Sequence, residues 1–239
     1  EFIQLYDKVF SELKIPTVIK LNNRKVLSGI AEIIGAEDKL IDMTVAIDKL
    51  DKIGLDLVKE EMLQKGISAS AIKKIEPILN MEGDAVKKLA GMRSVLADSK
   101  VGLEGVNEVQ TVINKVLNLG LESADLDFDL TLARGLNYYT GSIFEVEAKG
   151  VQMGSIGGGG RYDDLTGVFG LKDLPGIGIS FGLDRIYLVL EELGVIPSLE
   201  ADFTQVLFVN FGDKEADYSL NVLSELRKAG INSELYPDS

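Results

Sequence analysis

Three short stretches of the chain carry residue types that bind and stabilise anionic and aromatic ligands. The first is 133–141, in which Arg134 precedes the adjacent pair Tyr138 and Tyr139. Arg134 continues the apolar parity of a predicted strand, and a buried guanidinium requires an anionic partner. Its planar fork suits a phosphate or a carboxylate, and the tyrosines would add aromatic walls with polar tips. A structural ion pair with one of the local Asp residues would explain a buried Arg134 equally well.

The second stretch, 154–164, contains four consecutive glycines at 157–160, followed by Arg161 and Tyr162. Without Cβ atoms, such a segment lets backbone amides approach a ligand closely. Arg161 and Tyr162 would then lie at the rim of the site. The stretch does not contain the GxxxxGK[ST] pattern of a phosphate loop. A flexible turn is the alternative interpretation.

The third stretch is a predicted strand after Pro175 whose two faces differ sharply. One parity carries almost no side chain, since it consists of Gly176, Gly178, Ser180 and Gly182. Glycine in a strand marks close approach by a ligand or by another backbone, so a flat ring such as a nucleobase could lie on this face. Arg185, at the start of the next helix, could stack on that ring. Packing of a neighbouring helix on the glycines is the alternative. The glycine spacing does not match a dinucleotide fingerprint.

Composition restricts the chemistry further, because the chain has no His, Cys or Trp. This excludes a Ser-His-Asp triad, a thiolate nucleophile, a disulfide and a His- or Cys-ligated metal. A net charge of −13 argues against a generally basic nucleic-acid-binding surface. The 46% hydrophobic content fits a folded soluble protein. No membrane span or signal peptide is predicted, and the lack of Cys fits a reducing cytoplasm.

The elements that must hold these residues are predicted to form an α+β fold. Residues 1–48 are read as a helix from Phe2, a strand at 17–21, a polar turn at Asn22–Asn23, a helix at 24–34 with Gly35 as its C-cap, and a further helix. Residues 118–182 are β-rich, with predicted strands at 126–132 and 142–148, a third that enters the glycine cluster, and a fourth at 176–181. The short turns between successive strands favour antiparallel pairing. A helix at 183–193 follows. After a linker at 197–202, residues 203–239 are predicted as strand, helix and strand of a separate α/β domain.

Residues 49–115 differ from the rest, because only short helical patterns are predicted there. The predicted breaks between them are Gly54, Gly66, Pro77, Gly83, Gly91 and Gly102. The segment has 11 basic and 10 acidic residues, whereas the whole chain has 25 and 38, so the acidity lies elsewhere. The lysines are read either as a solvated helix face or as part of a surface for a polyanion.

Together the three stretches resemble the histidyl-tRNA synthetases, a family of class II aminoacyl-tRNA synthetases. Residues 132–141 resemble the first histidine-specific motif of that family, residues 158–163 resemble the second, and residues 176–185 resemble class II motif 3. The departures are mild: Asn137 stands where Asp is usual, and Asp184 where Glu is usual. The resemblance implies a class II catalytic core at 1–48 and 118–200, a helical insertion at 49–117, and the start of an anticodon-binding domain at 201–239.

The resemblance also implies roles for individual residues. Arg134 would be the catalytic residue and would contact the ATP α-phosphate and the histidine carboxylate. The implied histidine-binding residues are Tyr138, Tyr139, Gly158, Gly159 and Tyr162. The implied ATP-binding residues are Arg134, Gly178, Gly182 and Arg185. The implied ligands and partners are L-histidine, ATP with Mg²⁺, tRNA(His) and a second subunit of a homodimer, in the cytoplasm; no metal ligand is expected among the protein's own residues.

Motifs 1 and 2 of the class are expected before residue 1, and most of the anticodon-binding domain after residue 239. We therefore expect a fragment with little or no aminoacylation activity by itself. One alternative is a synthetase-like regulatory subunit of ATP phosphoribosyltransferase, which binds histidine without charging tRNA. Another is a pseudo-synthetase domain of a tRNA-sensing kinase. The intact stretch around Arg134 and the strand–helix–strand pattern near the end favour the synthetase.

Overall fold

The computed structural model describes residues 1–135, 138–196 and 203–237. The chain divides into two units, residues 1–195 and 196–239. The predicted linker at 197–202, together with Leu136 and Asn137 of the first motif, lies outside the described residues. None of the described helices is long and apolar enough to cross a membrane.

The helices and strands of the first unit follow one another in a mixed α+β order. They are α1 (Phe2–Glu12), β1 (Thr17–Asn23), α2 (Arg24–Ile34), α3 (Leu40–Ile47), α4 (Leu50–Ile53), α5 (Leu55–Gln64), α6 (Ala69–Leu79), α7 (Ala85–Val95), α8 (Lys100–Leu119), β2 (Asp125–Phe128), β3 (Ser142–Ala148), β4 (Ser155–Tyr162), β5 (Gly176–Phe181) and α9 (Leu183–Glu192). Short 3-10 helices lie at Glu37–Lys39 and Leu165–Phe169.

Five strands form one sheet in the order β2-β1-β3-β4-β5. The successive pairs β3–β4 and β4–β5 are antiparallel, as predicted from the short connections. The β1–β3 pair is antiparallel as well, although its strands are far apart in the chain. The β2 strand joins β1 in parallel. This parallel pair follows from the long helical excursion between the two strands, which returns the chain in the same direction.

The junction between β1 and α2 differs from the prediction, since no polar turn separates them. Asn23 is extended, with φ −143° and ψ 136°, and its side chain accepts a hydrogen bond from the Lys25 backbone N–H as the helix cap. The Asn22 amide donates to the Leu132 carbonyl oxygen at 2.8 Å. Both asparagines are buried, and these contacts replace the water that a turn would have supplied. Gly35 ends α2 with φ 71°, as predicted.

The strand predicted over 126–132 is shorter than expected and ends at Phe128. The Asp129 carboxylate accepts hydrogen bonds from the Thr131 backbone N–H at 2.8 Å and its hydroxyl at 2.6 Å. Such a local side-chain contact turns the backbone away from the ladder. Leu130 and Leu132 are nevertheless buried, so the alternating pattern predicts the buried positions correctly and the length of the strand incorrectly.

The helical segment is continuous through several predicted breaks. Pro77, Gly91 and Gly102 lie inside helices α6, α7 and α8. At Gly102 the reason is close packing, because a Cβ atom on Gly29 of α2 would lie 2.5 Å from the Gly102 Cα. Helix α8 packs along α2 and also contacts β1 and β3, which joins the helical segment to the sheet. The boundaries of an insertion domain stay a prediction.

The second unit contains β6 (Val206–Phe208), α10 (Asp213–Lys228) and β7 (Ser233–Leu235). The two strands pair in parallel, with Leu207 opposite Glu234. A helix that connects two parallel neighbours is the predicted βαβ unit.

Candidate functional site

The register of the five-stranded sheet separates its two faces. Because directly paired residues point to the same side, each row across the sheet has one character. One row is polar or bare: Asp127, Lys20, Glu145, Gly158 and Ser180. The next row, on the opposite face, is apolar: Phe128, Leu21, Phe144, Gly159 and Ile179. The apolar row belongs to the hydrophobic core, and the polar row lies on the opposite face, where Gly158 and Ser180 border a cavity.

Above the glycine half of this face lies a cavity of about 260 Å³. Its lining residues come from the three stretches singled out in the sequence and from β3. They are Arg134, Tyr138, Tyr139, Phe144, Ser155, Ile156, Gly157, Gly158, Gly159, Ser180, Gly182 and Arg185. Stretches separated by up to fifty residues therefore converge on one site.

Arg134 is not buried, in contrast to the prediction. Its side chain is 47% exposed, and its Nε donates to Glu145 Oε2 at 2.7 Å. The prediction was wrong because the strand ends at Phe128, so the parity argument does not extend to residue 134. The ion pair expected from a local Asp is instead made with Glu145 of β3. It uses one of the five guanidinium N–H donors, and the side chain lies on the cavity wall.

The carboxylate and ammonium groups beside Arg134 form a charge network on the outer face. Burial raises the pKa of the Glu145 carboxyl, and Arg134 opposes that shift. Lys20 lies 3.0 Å from Glu147 and 3.4 Å from Asp129. Burial alone would lower the pKa of Lys20, but these carboxylates outweigh it and raise the pKa. Acidic and basic side chains therefore alternate around Arg134, and their ion pairs hold it in position.

The tyrosine wall depends on a tight turn at Gly135. This residue has φ 63°, and its carbonyl oxygen accepts from the backbone N–H groups of Tyr138 and Tyr139. The Tyr139 ring lies between two glycines, since Cβ atoms would lie 2.0 Å from it at Gly135 and 2.8 Å from it at Gly160. The two tyrosine rings are 4.3 Å apart. Burial, reinforced by Tyr138, raises the pKa of the Tyr139 hydroxyl, which stays protonated as a donor.

The two predicted histidine motifs are joined by hydrogen bonds next to the tyrosine pair. Thr140 Oγ1 donates to Asp163 Oδ2 at 2.7 Å, and Arg161 Nε donates to Asp163 Oδ1 at 3.1 Å. The Thr140 backbone N–H donates to the Arg161 carbonyl oxygen. The hydrogen bond from Thr140, followed by Arg161, lowers the pKa of the Asp163 carboxyl. This carboxylate therefore fixes the loop that carries the tyrosines to the end of β4.

The predicted bare face of β5 is only partly open. A Cβ atom on Gly176 would lie 2.4 Å from the Tyr162 ring, and one on Gly178 would lie 3.6 Å from it. Tyr162 therefore covers Gly178, and neither residue lines the cavity. Of the predicted site residues, the cavity brings together Arg134, Tyr138, Tyr139, Gly158, Gly159, Gly182 and Arg185.

Arg185 contacts the start of β4, whereas Tyr139 packs against Gly160 further along the same strand. The Arg185 Nη1 donates to the Ser155 carbonyl oxygen at 2.7 Å, beside the Gly182 N–H, which donates to the Ile156 carbonyl oxygen at 2.8 Å. Arg185 and Arg134 also line a neighbouring cavity of about 350 Å³. Guanidinium groups thus border both spaces, and an extended anionic ligand would pass between them.

The described residues do not form a metal cage of their own. Within residues 1–135, 138–196 and 203–237 no group of three or more acidic side chains is placed to hold a metal ion. The Glu145 carboxylate of the same face is paired with Arg134. A hard cation such as Mg²⁺ would obtain most of its oxygen ligands from a bound phosphate and from water.

Sequence reasoning missed Tyr6, a fully buried residue of α1 that binds the floor of the site from the core side. Its hydroxyl donates to the carbonyl oxygens of Gly158 and Ser180. In the sequence it is an ordinary aromatic residue on the apolar face of a helix. Only the neighbouring glycines, which leave room for a ring, gave a signal that something approaches the strand.

Comparisons with known proteins agree on one family. The histidyl-tRNA synthetase family profile matches residues 1–186. A histidine–tRNA ligase of Christiangramia forsetii is 60% identical over all of this chain and 53% of that protein. One from Flavobacterium johnsoniae is 59% identical over all of this chain and 51% of that protein. This chain therefore spans about half the length of the curated relatives it matches.

Solved structures agree with the sequence comparison. The chain superposes on histidyl-tRNA synthetase from Nostoc sp. PCC 7120 with a TM-score of 0.79 at 35% identity, covering 98% of this chain and 56% of that one. A Bacillus halodurans protein described as an ATP phosphoribosyltransferase regulatory subunit/histidyl-tRNA synthetase gives a TM-score of 0.68 at 18% identity, over 96% of this chain and 57% of that one. The second likeness shows the fold alone. The α+β class II core predicted from the sequence is confirmed.

Proposed function

This chain belongs to the histidyl-tRNA synthetase family, and on that premise we propose that it contributes the histidine-activating site of a histidine–tRNA ligase. The full-length enzyme would join L-histidine to ATP as histidyl-adenylate and then transfer the histidyl group to tRNA(His). The observation that carries the proposal is the cavity with a cation, a tyrosine wall and a glycine floor, lined by Arg134, Tyr139, Gly158 and Arg185.

The first reaction needs charge stabilisation more than proton transfer. A carboxylate oxygen of histidine bonds to the α-phosphorus, the bond from that phosphorus to the α,β-bridging oxygen breaks, and pyrophosphate leaves. Negative charge builds on the α-phosphate oxygens, and Arg134 on the cavity wall would donate hydrogen bonds to them. Placed donors of this kind contribute about 100-fold or more in rate. No imidazole base is required, which fits a chain without His.

The tyrosine end of the cavity is proposed to bind the histidine side chain. Tyr138, Tyr139, Gly158 and Gly159 line it, and the Tyr139 hydroxyl can donate to an imidazole nitrogen. Tyr162 is proposed to support this pocket through the strand it covers. Aromatic walls that leave a slot, with hydroxyls that supply hydrogen-bond partners, would favour a flat polar ring in this pocket.

The opposite end is proposed to bind ATP. Adenine would lie against Gly182 with Arg185 stacked on it, because Gly182 presents no side chain and the guanidinium borders the same space. Gly178, under Tyr162, would act through the shape of the strand. Mg²⁺ would enter with the ATP phosphates and would supply charge neutralisation at the leaving group.

The remaining segments are proposed to bind tRNA(His). The helices at 49–117 have nearly balanced charge in an acidic chain, which suits contact with an acceptor stem. The strand–helix–strand unit after residue 200 would begin the anticodon-binding domain. The full-length enzyme would be a cytoplasmic homodimer, and the 239-residue chain alone would have little or no activity, since it spans about half the length of its curated relatives.

Histidine-dependent ATP–pyrophosphate exchange by the full-length protein tests this function. Arg134→Ala should lower the exchange rate about 100-fold while changing histidine affinity far less. Arg185→Ala should raise the ATP concentration required. Arg93→Ala, an exposed arginine on α7 away from the cavity, is the matched control and should leave exchange unchanged.

An exchange rate unaffected by Arg134→Ala would remove that residue from catalysis. Robust exchange by the isolated 239-residue chain would contradict the expectation that this chain alone has little or no activity. Exchange that depends on another amino acid would refute the proposed substrate.

A further inference from the structure

Tyr6 connects the core side of the sheet to the floor of the cavity. Its side chain is fully buried, and its hydroxyl lies 2.9 Å from the Gly158 carbonyl oxygen and 3.0 Å from the Ser180 carbonyl oxygen. One proton is therefore shared between acceptors on two neighbouring strands. Gly158 and Ser180 are direct partners in the register of β4 and β5, and both line the cavity.

The position of the Tyr6 ring is determined by packing rather than by the hydroxyl alone. A Cβ atom on Gly157 would lie 2.9 Å from Tyr6 Cε1, so this glycine makes the approach possible. Phe181 contacts the ring edge-on at a centroid distance of 5.0 Å, and Phe10 stacks at 6.2 Å. Because the ring is packed on three sides, the hydroxyl is held beneath the paired residues Gly158 and Ser180.

The hydroxyl is a permanent donor at physiological pH. Burial, opposed by the two backbone hydrogen bonds, raises the pKa of Tyr6 to about 12. Gly158, which accepts this hydrogen bond, lies two residues before Gly160, against which the Tyr139 ring packs. Arg185 and Gly182 bind instead to the carbonyl oxygens of Ser155 and Ile156, at the start of β4.

We propose that Tyr6 is a positioning residue for the histidine pocket, which holds β4 and β5 together at Gly158 and Ser180 so that the pocket floor is formed before the ligand arrives. This inference rests on the proposed function. Without the Tyr6 hydroxyl, the Ser180 carbonyl oxygen loses this donor and the Gly158 carbonyl oxygen keeps the Ser180 hydroxyl at 3.2 Å, so the mostly glycine floor is held less firmly and relaxes. A ligand must then order the floor on binding, which weakens affinity.

The test is Tyr6→Phe in the full-length protein, which keeps the ring and removes the hydroxyl. We expect the KM for histidine in pyrophosphate exchange to rise about tenfold, with kcat and the KM for ATP within about twofold. Tyr187→Phe is the matched control, because this α9 tyrosine is 56% exposed, and it should leave all three parameters unchanged.

A lower melting temperature with an unchanged KM for histidine would overturn the proposal and leave Tyr6 a packing residue. Gly157→Ala provides a second variant if Tyr6→Phe does not fold, since it displaces the ring and keeps the hydroxyl. It should also raise the KM for histidine selectively, and an equal rise for ATP would contradict the proposed position. A wild-type protein without histidine-dependent exchange would refute the proposed function itself, independently of either variant.

Discussion

Gly135→Ala provides a sharp test of the tyrosine wall, because Gly150→Ala reproduces its backbone strain without its clash. Gly135 has φ 63° and Gly150 has φ 80°, so alanine at either position is held in the left-handed region. That strain costs about 1–2 kcal/mol in each variant. Around Gly150 a new Cβ atom meets nothing within 4 Å, whereas at Gly135 it would lie 2.0 Å from Tyr139 Cδ2 and 2.3 Å from Cε2.

The displacement of Tyr139 follows from these distances. Ordinary carbon–carbon contact is about 3.5 Å, so the ring edge must retreat by about 1.5 Å. Its opposite edge has no room to do so, because it lies against Gly160, where a Cβ atom would lie only 2.8 Å away. The ring must therefore leave its slot. Misplacing a binding group by about 1 Å costs about 100-fold, so kcat/KM for histidine should fall by about 100-fold, or about 2.7 kcal/mol.

The assay compares both variants in the full-length protein by histidine-dependent pyrophosphate exchange and by thermal unfolding. Gly150→Ala should lose about 1–2 kcal/mol of stability and no activity, and Gly135→Ala should lose more of both. Adding Tyr139→Ala to Gly135→Ala removes the clash, so the double variant should regain stability toward that of Gly150→Ala. If Gly135→Ala and Gly150→Ala have the same kcat/KM for histidine, Tyr139 does not form a functional wall.

Three further outcomes follow from the buried groups. The Asp7 carboxylate accepts hydrogen bonds from the backbone N–H groups of residues 122–124, which hold its pKa below the ordinary 3.8 against the effect of burial. In urea titrations Asp7→Asn should be less stable than wild type at pH 6, and the difference should shrink as the pH falls below about 4. A difference that stays constant with pH would exclude an ionised Asp7. Glu145 should behave oppositely, since burial raises its pKa above 4.5: wild type should lose stability relative to Glu145→Gln as the pH rises above that value, and the reverse trend would contradict the burial argument. Gly159→Ala would place a Cβ atom 2.1 Å from the Gly178 carbonyl oxygen, and calorimetry should show a loss of about 3 kcal/mol unless the β4–β5 ladder can open there.

Period-two alternation predicted β3 and β5 well, because a sheet with one face in the core requires apolar side chains at every second position. The β3 and β5 bounds and the glycine parity of β5 could be read directly. The exposure of Arg134 could not, since it depends on a turn that the Asp129 side chain induces. Parity arguments hold only while the strand lasts.

Contacts between residues far apart in the chain could not be predicted from local sequence patterns either. The sequence predicts a helix break at Gly102, but this residue packs directly against Gly29. The close contact explains why neither position has a side chain. Tyr6 belongs to the same class, because its partners are 152 and 174 residues away. Candidate site residues could be named from local patterns, whereas the residue beneath the site could not.

The bare half of the outer sheet face has a consequence for stability as well as for binding. A sheet face is normally covered by its own side chains, but the row through Gly158 leaves that layer incomplete. A bound ligand would supply the missing atoms and would become, for as long as it stays, part of the packing of the fold. The order of this part of the fold would then rise with the fraction of sites that hold a ligand, so that the protein is best ordered when its substrate is abundant.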